Sequence, residues 1–246
     1  DAPVGNVLLN TPRMQLAYMM GNEKPMAVEE VTVDGQPFKK EVYSNKNLYF
    51  DASDVVRIIE VTQPVYEDAL ASALAAYAKA YEVDAKKSKE ADIKAGIKNI
   101  SQKYFMDGMN QYSLGDHKTA AILIGKAADA SETAPLSEVD TTSLYNAGFV
   151  YWAMKDYETA KTYFQRCLDA EYYYENGEVF AKLGDVYFKL GDKENGVATL
   201  EKGFTKFPQS QSILIGLINY YLESGSNTDR LFELLAEAKK NEPENV

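Results

Sequence analysis

Few side chains in this sequence are suited to catalysis, and their neighbours do not complete a catalytic motif. The chain of 246 residues contains one His and one Cys. His117 follows Asp116 at a predicted helix start without any Ser or Cys nucleophile motif, which favours an exposed helix-start residue over a general base. Cys167 lies in a helical pattern, which favours a small buried hydrophobic side chain over a reactive thiol.

The acidic residues do not form a metal site either. Glu29-Glu30, and Glu132 with Glu138, lack the loop spacing of a calcium site, so charged surface is the favoured interpretation. No glycine-rich loop of the strand-turn-helix kind that binds phosphate is present. The sequence therefore predicts no enzymatic activity, no cofactor and no metal, and an enzyme that uses carboxylates alone ranks last among the alternatives.

Composition narrows the class of protein further. Hydrophobic residues make up 46% and charged residues 26% of the chain, which is typical of a globular protein and not of a disordered one. The net charge of −11 disfavours nucleic acid and anionic membrane surfaces as partners, because both carry negative phosphates. No run approaches the roughly 18 consecutive apolar residues that a membrane span needs.

Internal repeats dominate the second half of the chain. The small residues Gly148 and Ala160 are the same number of positions apart as the small residues Gly184 and Gly196. Between them, apolar positions follow the i, i+3, i+4, i+7 period of a one-sided helix. Each unit is therefore predicted to be two helices that approach closely at small side chains. The four predicted units are 101–136, 141–174, 177–210 and 211–244.

Turn signals separate the two predicted helices of each unit. Asp or Asn at such a turn can accept hydrogen bonds from the free amides of the second helix, and Gly can close the first helix in the left-handed conformation. The four turns are Gly115-Asp116, Lys155-Asp156, Gly191-Asp192 and Gly225-Ser226-Asn227.

The pattern of a bulky residue, Leu-Gly, Tyr, then Ala, Phe, Ala and Pro resembles the tetratricopeptide repeat family. The best stretch runs from Phe180 through Leu183-Gly184 and Tyr187 to Pro208, and the resemblance covers about 101–246. It implies an all-α solenoid of antiparallel helix pairs, and the chain is similar to exported bacterial proteins of this family. The last unit aligns with the third by placing Leu231, Leu235, Ala238 and Pro243 at the positions of Gly196, Leu200, Gly203 and Pro208.

The first half of the chain has weaker signals. A helix is predicted at Arg13–Met20 within an N-terminal part, 1–50. A degenerate repeat is predicted in 51–100, with its first helix at Asp51–Thr62 and its second opening at Pro64. The second helix would contain Ala73, Tyr77 and Ala80, and a further long helix would begin within Ala91–Ile100.

Residues 27–43 have a different pattern. Val31-Thr32-Val33, the turn Asp34-Gly35 and the stretch that ends at Val42-Tyr43 favour a small β-hairpin inserted between helices, with a polar loop as the alternative.

The resemblance also implies a binding surface. In the family the first helix of each unit lines a concave inner face, and the corresponding positions here are unusually aromatic. These side chains can equally contact the next helix of the fold, and that reading stays open. The predicted groove residues are Phe105, Met109, Tyr145, Asn146, Phe149, Trp152, Lys182, Asp185, Phe188 and Asn219.

The sequence therefore favours a non-enzymatic scaffold or adaptor that binds a protein or peptide through an aromatic groove. The alternative is a carbohydrate- or small-ligand-binding protein of a bacterial cell envelope, for which the run Tyr172-Tyr173-Tyr174 would offer stacking rings. Few Arg, many Tyr and a single Cys suggest an extracytoplasmic site, with the cytoplasm as the alternative.

Overall fold

The computed structural model describes residues 11–13, 15, 20, 23–63 and 68–241. These residues form two compact units, Asp1–Leu123 and Ile124–Val246. Most of the helix predicted at Arg13–Met20, and Pro64 at the predicted opening of another helix, lie outside the described residues. No helix within the described ranges has both the length and the apolar character that crossing a bilayer requires.

The first unit contains a four-stranded antiparallel sheet in which each strand pairs with the next along the chain. Its strands are β1 (Ala27–Val33), β2 (Gln36–Val42), β3 (Lys46–Phe50) and β4 (Val56–Val61). Val33 pairs with Gln36 across Asp34 and Gly35, which both have positive φ, as a two-residue hairpin turn requires. The hairpin prediction is confirmed, and the polar-loop alternative is wrong.

The helix predicted at Asp51–Thr62 is also wrong, because this segment supplies the turn before β4 and β4 itself. The Asp51 carboxylate accepts hydrogen bonds from the amides of Ser53, at 2.8 Å, and Val55, at 3.1 Å, and so stabilises the turn. The β-branched residues that follow gain from cross-strand packing against β3. A short apolar run of this kind cannot be told from a helix by its period alone.

Both faces of the sheet bury side chains. Leu48, Phe50 and Val56 pack with Tyr43 on one face. Val33, Tyr49 and Ile58 form the other cluster, against which Leu114 packs. Because successive side chains of a strand point to opposite faces, β3 contributes to both clusters.

Two helices complete the described part of the first unit, α1 (Ala69–Val83) and α2 (Glu90–Ser113). The ring of Tyr77 lies directly against Gly96, and the Tyr104 hydroxyl donates to the Asp68 carboxylate at 2.9 Å. The helix pair of this region is therefore α1 with α2, not a pair that begins at Asp51.

The second unit is a succession of helix pairs. Helix α3 (His117–Ser131) contributes its residues from Ile124 onward to this unit. The pairs that follow are α4 (Thr141–Ala153) with α5 (Tyr157–Asp169), α6 (Glu178–Lys189) with α7 (Lys193–Lys206), and α8 (Gln211–Ser224) with α9 (Thr228–Asn241). Short turns join the two members of each pair, so the members run antiparallel. The predicted solenoid of antiparallel helix pairs is confirmed.

The capping prediction is confirmed at the turns between helices. The side chains of Asp116, Asp156, Asp192 and Asn227 each accept a hydrogen bond from the amide three residues ahead, at 3.0–3.2 Å. Each bond satisfies one amide that the helix itself leaves without a partner. The residues before three of these caps, Gly115, Lys155 and Gly191, have positive φ. Two of them are the glycines that the left-handed conformation favours, whereas Lys155 carries a side chain there.

Small side chains bring the paired helices together, as the repeat pattern predicts. A Cβ on Gly203 would lie 2.6 Å from the Cβ of Phe180, and one on Gly184 would lie 2.6 Å from Leu200 Cδ2. Both distances are shorter than real Cβ contacts, so a side chain at either position would force its neighbour to shift. At Gly203 the neighbouring atom is a Cβ, which is fixed to the backbone. The large partners of these glycines are fully buried and belong to one core with Leu217.

We expect Gly203→Val to destabilise the second unit by about 2 kcal/mol, since the new side chain collides with the Cβ of Phe180, which cannot rotate away. Urea unfolding followed by circular dichroism measures this change. The matched control is Ala198→Val, on an exposed position of the same helix, with an expected cost of about 0.6 kcal/mol from helix propensity alone. Equal effects of the two variants would contradict a tight helix crossing at Gly203.

Candidate functional site

Four aromatic side chains form a continuous row on one side of α4, which we call the aromatic row: Tyr174, Tyr145, Phe149 and Trp152. The Tyr174 and Tyr145 rings stack with centroids 4.0 Å apart. The Tyr145 and Phe149 centroids are 6.5 Å apart, and those of Phe149 and Trp152 are 5.8 Å apart. Tyr145 is buried, whereas Phe149 and Trp152 are half-buried and Tyr174 is exposed.

Local helix geometry produces this row. Residues three or four apart on a helix share a face, so Tyr145, Phe149 and Trp152 project from the same side of α4. The helix begins firmly, because the Asp140 carboxylate accepts from the Ser143 amide at 3.0 Å and from the Ser143 hydroxyl at 2.6 Å.

Helix α6, the first helix of the next pair, holds the indole of Trp152 in place. The indole N–H donates to the Asp185 carboxylate at 2.6 Å. The Lys182 ammonium lies 3.8 Å from the indole ring centroid and 5.7 Å from that of Phe149, within the range of cation–π attraction. Trp152 is thus fixed along its edge by Asp185 and covered on one face by Lys182.

Charges around the row are paired with one another. Lys182 lies 3.5 Å from the Glu178 carboxylate, which also accepts from the Ser212 hydroxyl of α8 at 2.7 Å.

Burial, followed by the negative charge of Glu178, raises the pKa of the Tyr145 phenol. Tyr145 therefore stays protonated at neutral pH and is not poised to act as a base.

The remaining predicted groove residues have different surroundings. Phe188 packs against Gly196 of its own helix pair and stacks on Tyr220 of α8, at 5.5 Å. The Asn146 side chain donates to the carbonyl of Thr142 in its own helix at 2.9 Å. Asn219 is exposed on α8.

Phe105 and Met109 are half-buried on α2 and belong to the first unit. The structure joins Tyr145, Phe149, Trp152, Lys182 and Asp185 in one network, and Asn146, Phe188 and Asn219 of the same unit lie outside that network.

Sequence reasoning did not include Tyr174 in the groove. This residue lies in the joint after α5, outside any helical period, with φ of 48°. The run Tyr172-Tyr173-Tyr174 was the available signal. Tyr173 instead stacks on Phe180 at 5.5 Å, and Tyr172 packs against the core of α4 and α5, so the run does not present parallel free rings.

A concavity separate from the aromatic row lies beside α5 and α7. It has a volume of about 570 Å³, and Lys206 approaches the Tyr173 ring to 4.3 Å at its wall. The lining residues are Leu168, Glu171, Tyr173, Phe180, Lys202, Thr205 and Lys206. Its charged groups carry both signs and do not converge on one point, so it defines no specific chemistry.

The residues with catalytic potential occupy structural positions. His117 is exposed and stacks on Tyr112 at 4.9 Å, which agrees with a helix-start residue. Cys167 is fully buried, and burial raises the pKa of its thiol to about 12. Glu29 lies 3.7 Å from Lys40 and Glu132 lies 2.9 Å from Arg166, so both acids are neutralised by cations. Across the described ranges, no three metal-ligating side chains gather in one place.

Comparisons with known proteins agree with the repeat architecture. The tetratricopeptide repeat family model matches residues 141–173 and 177–205, which confirms the resemblance over the two central helix pairs. These repeats build surfaces for binding other proteins, so they support a role as a protein-interaction scaffold. No curated protein sequence matches the chain significantly.

Several solved structures are similar to the chain at low sequence identity. A double mutant of MamA RS-1 is 14% identical, with a TM-score of 0.50 over 71% of this chain and 97% of that chain, which shows a common fold. MamA from Desulfovibrio magneticus RS-1 is 14% identical, with a TM-score of 0.49 over 72% and 99% of the two chains. YrrB, described as a TPR protein with an unusual peptide-binding site, is 15% identical, with a TM-score of 0.47 over 72% and 94%.

The hydrogen bond between Trp152 and Asp185 should couple α4 to α6 energetically. In a double-mutant cycle of Trp152→Phe and Asp185→Ala, we expect a coupling free energy of about 1.5 kcal/mol, because the acceptor is charged and the pair is half-buried. Urea unfolding followed by circular dichroism measures the coupling free energy. Fluorescence of Trp is unsuitable, because Trp152 is the only Trp in the chain and the Trp152→Phe variants lack it. Additive effects of the two substitutions would mean that the bond does not connect the helices.

Proposed function

We propose that this protein is a non-enzymatic scaffold or adaptor of the tetratricopeptide repeat type that binds a protein or peptide partner beside the aromatic row. The observation that carries the proposal is the position of Trp152, which is half-buried, hydrogen-bonded at its edge and bordered by the half-buried ring of Phe149. Rigid, partly exposed Trp and Tyr side chains are the groups that most often anchor protein interfaces.

Preorganisation favours binding at this row. Trp152 is held by Asp185 and Lys182, and Tyr174 is stacked on Tyr145, so little side-chain freedom is lost when a partner docks. A surface that is rigid before binding retains more of its contact energy as affinity.

The chemistry of the row and of α8 indicates the kind of partner. Ile215 and Leu222 are exposed on α8, with the exposed Asn219 between them, at helical spacing. Apolar anchors at such a spacing suit an amphipathic helix or an extended peptide with apolar side chains. The mixed charges of Lys182, Glu178 and Asp185 can pair with polar groups at the edge of such a segment.

The absence of a role in catalysis is part of this proposal. It is supported by the buried thiol of Cys167, the exposed and isolated His117, and the pairing of Glu29 and Glu132 with cations. General acid–base catalysis needs groups that converge on one reacting atom, and these do not.

Binding of a carbohydrate or small ligand at a bacterial cell envelope is the second candidate, and it rests on the exposed ring of Tyr174. It is the less favoured one because Tyr172 and Tyr173 pack against the core. An extracytoplasmic location also remains a proposal, supported by the residue usage of the sequence. A glycan array that stays negative at high protein concentration would remove the carbohydrate candidate.

A peptide-display selection against the whole chain, followed by fluorescence anisotropy with the selected peptides, tests the scaffold proposal. We expect the double variant Phe149→Ala, Trp152→Ala to weaken binding by at least roughly tenfold, because it removes two central anchors. The control is Val83→Ala, which removes an exposed apolar side chain at the end of α1 instead.

Unchanged affinity of the Phe149→Ala, Trp152→Ala variant would place peptide binding elsewhere on the molecule. Circular dichroism spectra and unfolding midpoints of all variants ensure that a loss of binding does not reflect a loss of folding.

A further inference from the structure

In the last helix pair that the structure describes, α8 with α9, an apolar face is exposed. On α9, Phe232 is 64% exposed and Leu235 is 41% exposed, although both are large apolar side chains. Leu234, between them in sequence, is fully buried on the opposite side of the helix. The exposed pair is therefore a feature of one defined face and not of a frayed helix.

Comparison between repeats shows what this face does elsewhere in the array. Leu235 occupies the position of Leu200, and by the same alignment Phe232 occupies that of Val197. Leu200 is only 1% exposed because it packs against Gly184 of its own pair and is also covered by α8, the first helix of the next pair. A Cβ on Gly216 of α8 would lie 2.9 Å from Leu200 Cδ1. The face of α9 is thus built like a surface that receives another helix.

The face is held firmly in position. The Arg230 guanidinium donates to both Glu201 carboxylate oxygens, at 3.1 Å from Nε and 2.7 Å from Nη2, and ties α9 to α7. Asn227 caps the start of α9 through the Arg230 amide at 3.2 Å. A docked helix would therefore meet a rigid surface.

The charges beside Phe232 and Leu235 indicate the occupant. Asp229 lies near the start of α9 and Lys239 near its end, on the same exposed side as Phe232. In the part of the chain that the structure describes, neither side chain makes an ion pair. One end of the face is thus acidic and the other basic.

We propose that this face, the α9 face, binds the α9 face of a second copy of the chain in antiparallel orientation. Residues at equal distances from the centre of the helix meet in such a pairing. Phe232 then packs beside Leu235 and Ala236 of the copy, and Asp229 pairs with Lys239 twice across the two-fold axis. The surface is complementary to itself in apolarity and charge.

The size of the α9 face predicts a weak dimer. Helix α9 has 14 residues and is about 21 Å long, so a single helix–helix contact stays below the area of a standard stable interface. The net charge of −11 per chain opposes association further. We expect a reversible, concentration-dependent equilibrium between monomer and dimer.

Sedimentation equilibrium of the full chain over a wide concentration range tests the proposal. The wild type should shift from the mass of one chain towards that of two as its concentration rises. Leu235→Glu should abolish the shift, because it places a charge in the apolar centre. Asp229→Lys alone, and Lys239→Asp alone, should each weaken dimerisation by roughly tenfold, since both ion pairs become like-charge contacts.

The decisive measurement mixes the two charge variants. In a mixture of Asp229→Lys with Lys239→Asp chains, every contact between unlike chains again joins opposite charges, so heterodimers should form with close to wild-type affinity. The double variant Asp229→Lys, Lys239→Asp should likewise regain self-association. Lys202→Asp, an equal charge change on the exposed side of α7, is the matched control and should leave the equilibrium unchanged.

A misfolded variant could not be rescued by a partner with the complementary substitution, so the mixture separates interface effects from folding effects. A wild type that stays monomeric at every soluble concentration would overturn the proposal. So would a dimer that is indifferent to Leu235→Glu, or charge variants that fail to restore each other.

Discussion

The close approach of paired helices at glycine is the constraint on which the second unit depends. Gly203 meets the Cβ of Phe180, and Gly184 meets the side chain of Leu200, so each helix presses a large side chain into the space that a missing Cβ leaves. This interlock buries Phe180 and Leu200 almost completely. Between successive pairs, the Trp152 indole of α4 donates to Asp185 of α6 across 33 positions of sequence.

The polar contacts are secondary to this packing. Arg166 of α5 donates to Asp129 of α3 and to Glu132 just after that helix. Arg230 of α9 donates to Glu201 of α7. Partly exposed pairs of this kind contribute little free energy of folding, but their directional bonds select one register between second helices. The helix caps act similarly by ending each helix at a defined residue. Packing supplies the stability, and the polar groups select among the packed arrangements.

The aromatic row and the α9 face follow from the same repeat geometry in two ways. A row arises where the first helices carry aromatic residues at helical spacing and the neighbouring helix holds them with Asp185 and Lys182. The α9 face arises because each helix pair presents an apolar surface to the next pair. At the last described pair, that surface faces solvent. The repeat architecture thus accounts for both candidate interaction surfaces.

The sequence alone determined the parts of this protein that depend on local periodicity. Helical spacing identified the repeats, the caps at Asp156 and Asp192, and the close approach of paired helices at small side chains, because these features need only neighbours a few positions away. The hairpin was visible for the same reason, through its Asp34-Gly35 turn. Only the tertiary structure decided that 56–61 is a strand, because β3 supplies the cross-strand contacts that outweigh its ambiguous pattern. Only the tertiary structure likewise decided that Phe188 packs against Gly196 and Tyr220. It also decided that Tyr174, in the non-helical segment after α5, stacks on Tyr145. Which side chain fills a given space depends on elements far apart in the chain, and no periodicity within one segment encodes that choice.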